Sequence, residues 1–258
     1  MLIRTESVSH DHDGCPALRG VDLVVARGER VVLLGSNGSG KSTLLKLLDG
    51  LFEPDRGAVF YDGRRLDRAA LGDRDFHRRF RREVVLLFQE PEAMLFHPSV
   101  AEELSFGPRQ LELDDPEDRA RQWAERTGVA HLWSRPPTDL SRGEKQRVAL
   151  AAVLVLEPRV LLLDEPTAAL DPRSTGWLVD FLQDLPVTTV TATHNLSLAP
   201  ELGDRAVILG EDHTVLLDGA IAGLQEDLDL LRRANLVHRH RHRHGPHEHS
   251  HDHVHDWD

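Results

Sequence analysis

Nine consecutive residues, Gly35-Ser36-Asn37-Gly38-Ser39-Gly40-Lys41-Ser42-Thr43, carry the most legible chemistry in the chain. A polyphosphate loses water when it binds. Glycines let backbone N–H groups converge on its oxygens, and a helix that follows adds its positive end. At this spacing Lys41 reaches the β- and γ-phosphates of a nucleoside triphosphate and the Ser42 hydroxyl binds Mg2+. Asp164 and Glu165 follow the apolar run Val160-Leu-Leu-Leu163, and parallel sheets bind ligands at the carboxyl ends of their strands. A carboxylate there suits Mg2+ held through water, because that ion dehydrates reluctantly. Glu165 beside it is the candidate general base for an attacking water. Gln89, after Val84-Val-Leu-Leu-Phe88, and His194, after Thr188-Thr-Val-Thr-Ala-Thr193, stand at two more strand ends. Taken singly, Gln89 reads rather as an exposed strand-end amide and His194 as a structural histidine.

These residues need a scaffold, and the hydrophobic pattern supplies one. Val31 to Leu34 reads as a buried parallel strand running into the glycine loop. Ser42 to Leu48 then carries leucines at helical spacing until Gly50 stops it. Val160–Leu163, Thr188–Thr191 and Ala206–Leu209 read as further strands with helical stretches between, the pattern of a parallel sheet covered on its faces. Residues 2–30 and 57–66, with the Asp62-Gly63 turn, read as an antiparallel portion. The polar stretch 98–139 reads as a small helical insertion, with Pro108, Pro116, Pro136 and Pro137 as breakers. The fold class expected is therefore α/β, a phosphate-loop NTPase core with a mostly parallel sheet, an antiparallel β portion and that insertion. Residues 1–235 form the domain, and 236–258 form a tail expected to be disordered without a ligand.

Composition narrows the partners. With 258 residues, 40% of them hydrophobic, the chain can bury an ordinary core, and its formal net charge of -12 argues against a broad nucleic-acid-binding surface. Arg78, Arg79, Arg81 and Arg82 make a local basic cluster, interleaved with Phe76, Phe80 and Glu83, and read as a solvated helix or loop face. Cys15 is the only cysteine, so no intrachain disulfide forms, in keeping with a reducing compartment. The start lacks the pattern of a secretory signal. The longest apolar run, Val148 to Leu156, is far short of the roughly 20 residues a spanning helix needs.

Taken in order, these motifs make the chain resemble the nucleotide-binding subunits of ATP-binding cassette (ABC) transporters. Gly35–Thr43 resembles the Walker A loop, Gln89 the Q-loop, Leu140-Ser-Arg-Gly-Glu144 the signature and Val160–Glu165 the Walker B strand. Ala168-Ala-Leu-Asp171 resembles the D-loop and His194 the switch histidine. The resemblance implies ATP and Mg2+ as cofactors and ATP hydrolysis as the activity. It further implies a second, facing ABC subunit, the same or different, whose bound γ-phosphate Ser141 and Gly143 would close over, with Asp171 linking the two sites. Two positions depart from the family. Arg142 stands where the signature usually has Gly, and glycine-only backbone angles are costly for an arginine. His12, or alternatively Asp11, falls where the family stacks an aromatic residue on the adenine, so loose base discrimination is expected.

Phe88 to Phe96 and Pro98 to Pro108, with Pro136-Pro137 ahead of the signature, resemble the energy-coupling-factor branch of importers, especially its cobalt and nickel ATPases. That branch implies integral membrane coupling and substrate-binding subunits, a place at the cytoplasmic membrane face, and exposed Met94, Leu95 and Phe96 as contacts for a coupling helix. An ATPase serving a vitamin importer, or a soluble ABC ATPase outside transport, are the alternatives. The tail alternates His238, His240, His242 and His244 with arginine, and His247, His249, His251, His253 and His255 mostly with acids. In an extended chain such neighbours share a face and can chelate one ion. Neutral imidazole suits Ni2+, Co2+, Zn2+ and Cu2+. A solubilising tail and a metal reservoir or sensor both fit that pattern.

Overall fold

The computed structural model describes the backbone of residues 1–168, 170–244 and 247–254, and side chains as far as Val237. The chain opens on two long antiparallel strands, β1 (Ile3–His12) and β2 (Cys15–Val25), turned at Asp13-Gly14. Alternate residues such as Leu23 and Val25 are buried, the mark of a half-covered sheet. β3 (Arg30–Leu34) is instead buried throughout Val31–Leu34 and runs straight into the glycine loop. α1 (Lys41–Leu48) buries its four leucines and stops at Gly50, which takes φ 66°. β4 (Arg56–Tyr61) and β5 (Arg64–Arg65) form a hairpin around Asp62 (φ 49°) and Gly63 (φ 79°), the paired left-handed residues a tight hairpin turn demands.

Asp67 and Asp73 then cap α2 (Arg68–Gly72) and α3 (Arg74–Glu83). The basic cluster lies on α3 around buried Phe76 and Phe80, with Arg78 and Arg79 exposed, Arg81 and Arg82 half-buried, and Arg78 donating to the Leu111 carbonyl and pairing with Glu112. β6 (Val84–Leu87) is wholly buried, and the polar insertion folds as α4 (Val100–Gln110) and α5 (Pro116–Arg126). Pro116 opens α5 at its first turn, where its missing N–H is harmless. Pro108, expected as a breaker, lies inside α4. It stands in the last turn, so its ring forfeits one backbone bond rather than ending the helix. α6 (Arg142–Leu154), β7 (Val160–Asp164), α7 (Pro172–Gln183) and β8 (Thr188–Thr193) follow. The chain continues through α8 (Ala199–Leu202), β9 (Arg205–Leu209), β10 (Val215–Ala220) and α9 (Leu228–Arg233). β11 (Val237–His244) and β12 (His247–Val254) come last.

Two units divide the chain, Met1–Leu66 with Val190–Asp258, and Asp67–Thr189. In the first, β2-β1-β4-β5 make an antiparallel sheet, while β9 runs parallel to β3 and antiparallel to β10. Arg205 on β9 rivets this unit: its guanidinium donates to Glu29 at 2.8 Å, to the Val24 carbonyl at 2.8 Å and to Asp218 at 2.5 and 2.6 Å. Asp218 foremost, then Glu29, raises the guanidinium's affinity for its proton. In the second unit β6 and β7 pair in parallel, Val84 opposite Val160 through Leu87 opposite Leu163. The expected α/β class, with parallel strands and an antiparallel portion, is what the chain adopts.

The tail differs from expectation. Residues 237–244 and 247–254 pair as antiparallel strands, where the sequence reading has no regular structure. High charge and the lack of an apolar period suggested disorder, yet strict alternation is itself the period a strand uses. His255 lies outside the described residues, as does Ala169 of the D-loop stretch. Among the described residues no helix is long and apolar enough to cross a membrane.

Candidate nucleotide site

The glycine loop is shaped by contacts that leave no room for side chains. A Cβ on Gly35, at φ 154°, would stand 2.5 Å from Ser39 Oγ, and one on Gly40, at φ 108°, would stand 2.2 Å from the Ala17 carbonyl oxygen. Asn37 and Gly38 form the exposed tip. Lys41 is buried, and its ammonium donates to the Gly35 and Ser36 carbonyls at 2.8 and 3.2 Å. Ser36 Oγ and Ser39 Oγ are buried without a protein partner. Buried polar atoms are normally satisfied, so these hydroxyls fit a polar ligand lying in the loop. Two such hydroxyls, a glycine cradle and the uncapped N-terminus of α1 suit the phosphates of ATP, with Ser42 the residue that would hold Mg2+.

A cavity of about 250 Å3 runs from His12 and Cys15–Ala17 to Gly38 and Gly40–Thr43. His12 Nε2 shares a hydrogen bond with Thr43 Oγ1 at 3.1 Å, joining β1 to the loop. Its ring lies 4.9 Å from that of His10 and 5.4 Å from that of Phe52, and His10 stacks on Phe52 at 5.3 Å. His12, which lines the cavity, is thus one of a cluster of three rings. His194 belongs to the same unit and follows β8, half-buried.

The remaining candidates lie in the second unit. Gln89 is exposed just beyond β6. Asp164 ends β7 with its side chain buried, and Glu165, also buried, takes a left-handed backbone at φ 45°. A non-glycine residue there is strained, and such strain collects at functional sites. The turn is held by the Ala168 N–H on the Glu165 carbonyl at 3.0 Å. Gln146 Nε2 of α6 donates to the Pro166 carbonyl at 3.1 Å in the interior. Ser141 caps α6 through a reciprocal capping box with Glu144. A Cβ on Gly143 would come 3.2 Å from Ser174 Oγ. Asp171 caps α7, accepting the Arg173 and Ser174 N–H groups at 3.0 Å each and the Ser174 hydroxyl at 2.6 Å. The Ser174 hydroxyl foremost holds its carboxyl below the usual range.

Residues 18–168 match the model of the ABC transporter family. The chain belongs to the ABC transporter family. The nickel import ATP-binding protein NikO of Rhodobacter capsulatus is 45% identical over 90% of this chain and 94% of its own length. The energy-coupling factor transporter ATP-binding protein EcfA of Methanothermobacter thermautotrophicus is 36% identical over 91% of this chain and 76% of its own. Among solved structures, cbiO1 of Clostridium perfringens, part of the ABC transporter complex cbiONQ, superposes with TM-score 0.76 at 34% identity, covering 91% of this chain and 94% of that one. An ATP-binding cassette solved as a dimer in a post-hydrolysis state with ADP and Pi superposes with TM-score 0.76 at 25% identity, covering 85% and 99%.

As an ABC ATPase the chain binds and hydrolyses ATP with Mg2+, and two details of its cassette were not read from sequence. Arg142 is the first residue of α6 and is not among the residues with positive φ, so the backbone cost expected of an arginine there does not arise. Phe52 and His10 escaped notice because nothing in sequence separation brings them to His12; the aromatic residue just after the Gly50 stop was the available signal. In the second unit Met94 and Leu95 are half-buried, and of the expected trio only Phe96 is well exposed, at 70%. Buried Glu103 accepts the N–H groups of Phe96 and His97 at 2.8 and 2.9 Å and presents that ring beside Phe106, 5.9 Å away. Among the described side chains, no group of three His, Cys, Asp or Glu is placed to hold a metal ion.

Proposed function

We propose that this ABC ATPase powers a membrane importer for a divalent metal, nickel or cobalt, from the cytoplasmic membrane face. The 45% identity to a nickel import ATP-binding protein along 90% of the chain carries this reading. In it Lys41, Ser42, Gln89 and Asp164 position ATP and Mg2+, Glu165 orients the attacking water as general base, and His194 senses the γ-phosphate. Ser141, Gly143 and Asp171 act across a dimer with a second cassette. Hydrolysis here is a matter of positioning and charge, since little covalent chemistry falls to the protein. The Phe96 ring, held out by Glu103, is the contact offered to a membrane subunit, because exposed apolar groups mark interaction sites. The similarity to EcfA supports a second reading, an energy-coupling ATPase for a vitamin.

Ni2+ and Co2+ uptake by cells carrying the whole transporter, wild type against Glu165→Gln, tests the proposal. Metal uptake lost with the mutation supports it. Metal uptake unchanged, with uptake of a vitamin lost instead, transfers the chain to the second reading.

A further inference from the structure

The tail strands β11 and β12 are paired in one particular register, and that register sorts their residues. His238 stands opposite His253, His240 opposite His251, His242 opposite His249 and His244 opposite His247. Directly opposed residues share a face, and alternate residues along a strand share it too. All four histidine pairs therefore belong to one face of the ribbon. The other face carries Arg239 opposite Asp252, Arg241 opposite Ser250 and Arg243 opposite Glu248.

The charged face distinguishes this register from its neighbours. A slip of one residue would set His240 against Asp252 or Ser250 and leave no histidine opposite another. A slip of two would keep the faces but retain only one arginine–acid pair. Opposite charges placed directly across a sheet stabilise it, and like charges oppose it. Of these registers only the observed one sets both acids opposite arginines and each of the eight paired histidines opposite another. The arginine–acid face acts as the register key for the histidine face.

We propose that this ribbon is a binding site for divalent transition-metal ions, each held by two neighbouring histidine pairs. Opposed Cβ atoms lie about 5 Å apart and successive pairs roughly 7 Å apart along the strand. Two neighbouring pairs place four histidines at that spacing on one face, and the four pairs provide for two ions. Imidazole donors select Ni2+, Zn2+, Cu2+ and Co2+, whereas Mg2+ takes oxygen. The ribbon thus holds transition metal without competing for the Mg2+ that accompanies ATP. The site does not depend on which substrate the transporter carries.

Equilibrium dialysis of the full-length, nucleotide-free protein against Ni2+ in excess Mg2+, followed by metal analysis, tests this. Wild type is expected to hold about two Ni2+ ions per chain, and a variant with all eight paired histidines changed to Gln none. Arg239→Asp with Arg243→Glu keeps every histidine but opposes like charges; its Ni2+ affinity should fall about tenfold or more. Adding Glu248→Arg and Asp252→Arg should restore it. Basal ATP hydrolysis should be the same in all four proteins, which shows that each is folded. Wild-type binding no greater than that of the Gln variant would overturn the site. Undiminished affinity in the like-charge variant would overturn the register argument and reduce the tail to an unordered chelating string.

Discussion

Ser141 and Glu144 hold each other at the start of the signature helix. The Ser141 N–H and hydroxyl both donate to the Glu144 carboxylate, at 2.8 and 2.7 Å, and Ser141 Oγ accepts the Glu144 N–H at 3.4 Å. The serine proposed to serve a neighbour's phosphate is thus already the cap of its own helix. Ser141→Ala should cost about 1 kcal/mol of stability and lower the melting temperature by roughly 2–4 °C. It should also weaken ATP-induced dimerisation, which sizing in ATP would read. A melting temperature equal to wild type would mean the cap is dispensable.

The same pair sets a pH dependence. The Ser141 hydroxyl, then the Ser141 N–H, holds the Glu144 carboxyl below its ordinary value of 4.5. A carboxyl lowered in the folded state contributes stability above its unfolded value and loses it as pH falls through the folded one. The stability gap between wild type and Glu144→Gln should therefore be level at neutral pH and shrink below about 4.5. Urea unfolding at a series of pH values checks this; a gap that widens on acidification would reverse the sign.

Gly40→Ala places a methyl 2.2 Å from the Ala17 carbonyl oxygen at a φ of 108°. Backbone of that kind costs about 1–3 kcal/mol without glycine, and the strand bearing Ala17 must shift as well. Nucleotide binding should drop at least about tenfold, as titration with a fluorescent ATP analogue would show. Wild-type affinity in the variant would mean the loop yields without cost.

Replacing Glu165 with Gln removes the proposed general base while keeping size and polarity. Turnover should fall by about 100-fold or more, with ATP binding kept and a dimer trapped on a sizing column in ATP. An active variant would assign the base elsewhere.

His12 lines the cavity beside the glycine loop and is the residue proposed to face the adenine. Tyrosine offers a larger ring, so His12→Tyr should tighten ATP binding and raise the ATP-over-GTP preference. Wild type should discriminate by less than about tenfold. A large wild-type preference in a turnover assay would show that His10 and Phe52 already complete a selective platform.

Much of this protein was legible because several of its signals are local. The glycine loop, the buried run ahead of it and the Asp62-Gly63 hairpin each depend on neighbours in sequence. What escaped depends on tertiary approach. The rings of Phe52, His10 and His12 meet only because α1 ends beside β1, and Glu103 reaches Phe96 and His97 across a turn. Pro108 misled because a proline's effect depends on its distance from the helix end. The tail's alternation was legible as an extended-chain period, but with no apolar face nothing in it called for a partner strand.

Lys41 donates to two carbonyls of the loop that carries it. Each is an oxygen that a phosphate oxygen would replace, so nucleotide binding exchanges acceptors for this ammonium. The gain from that exchange is a difference between two good states, and a difference is easily reversed. What the ammonium adds to affinity is therefore what phosphate offers beyond a carbonyl, and not the full strength of the contact.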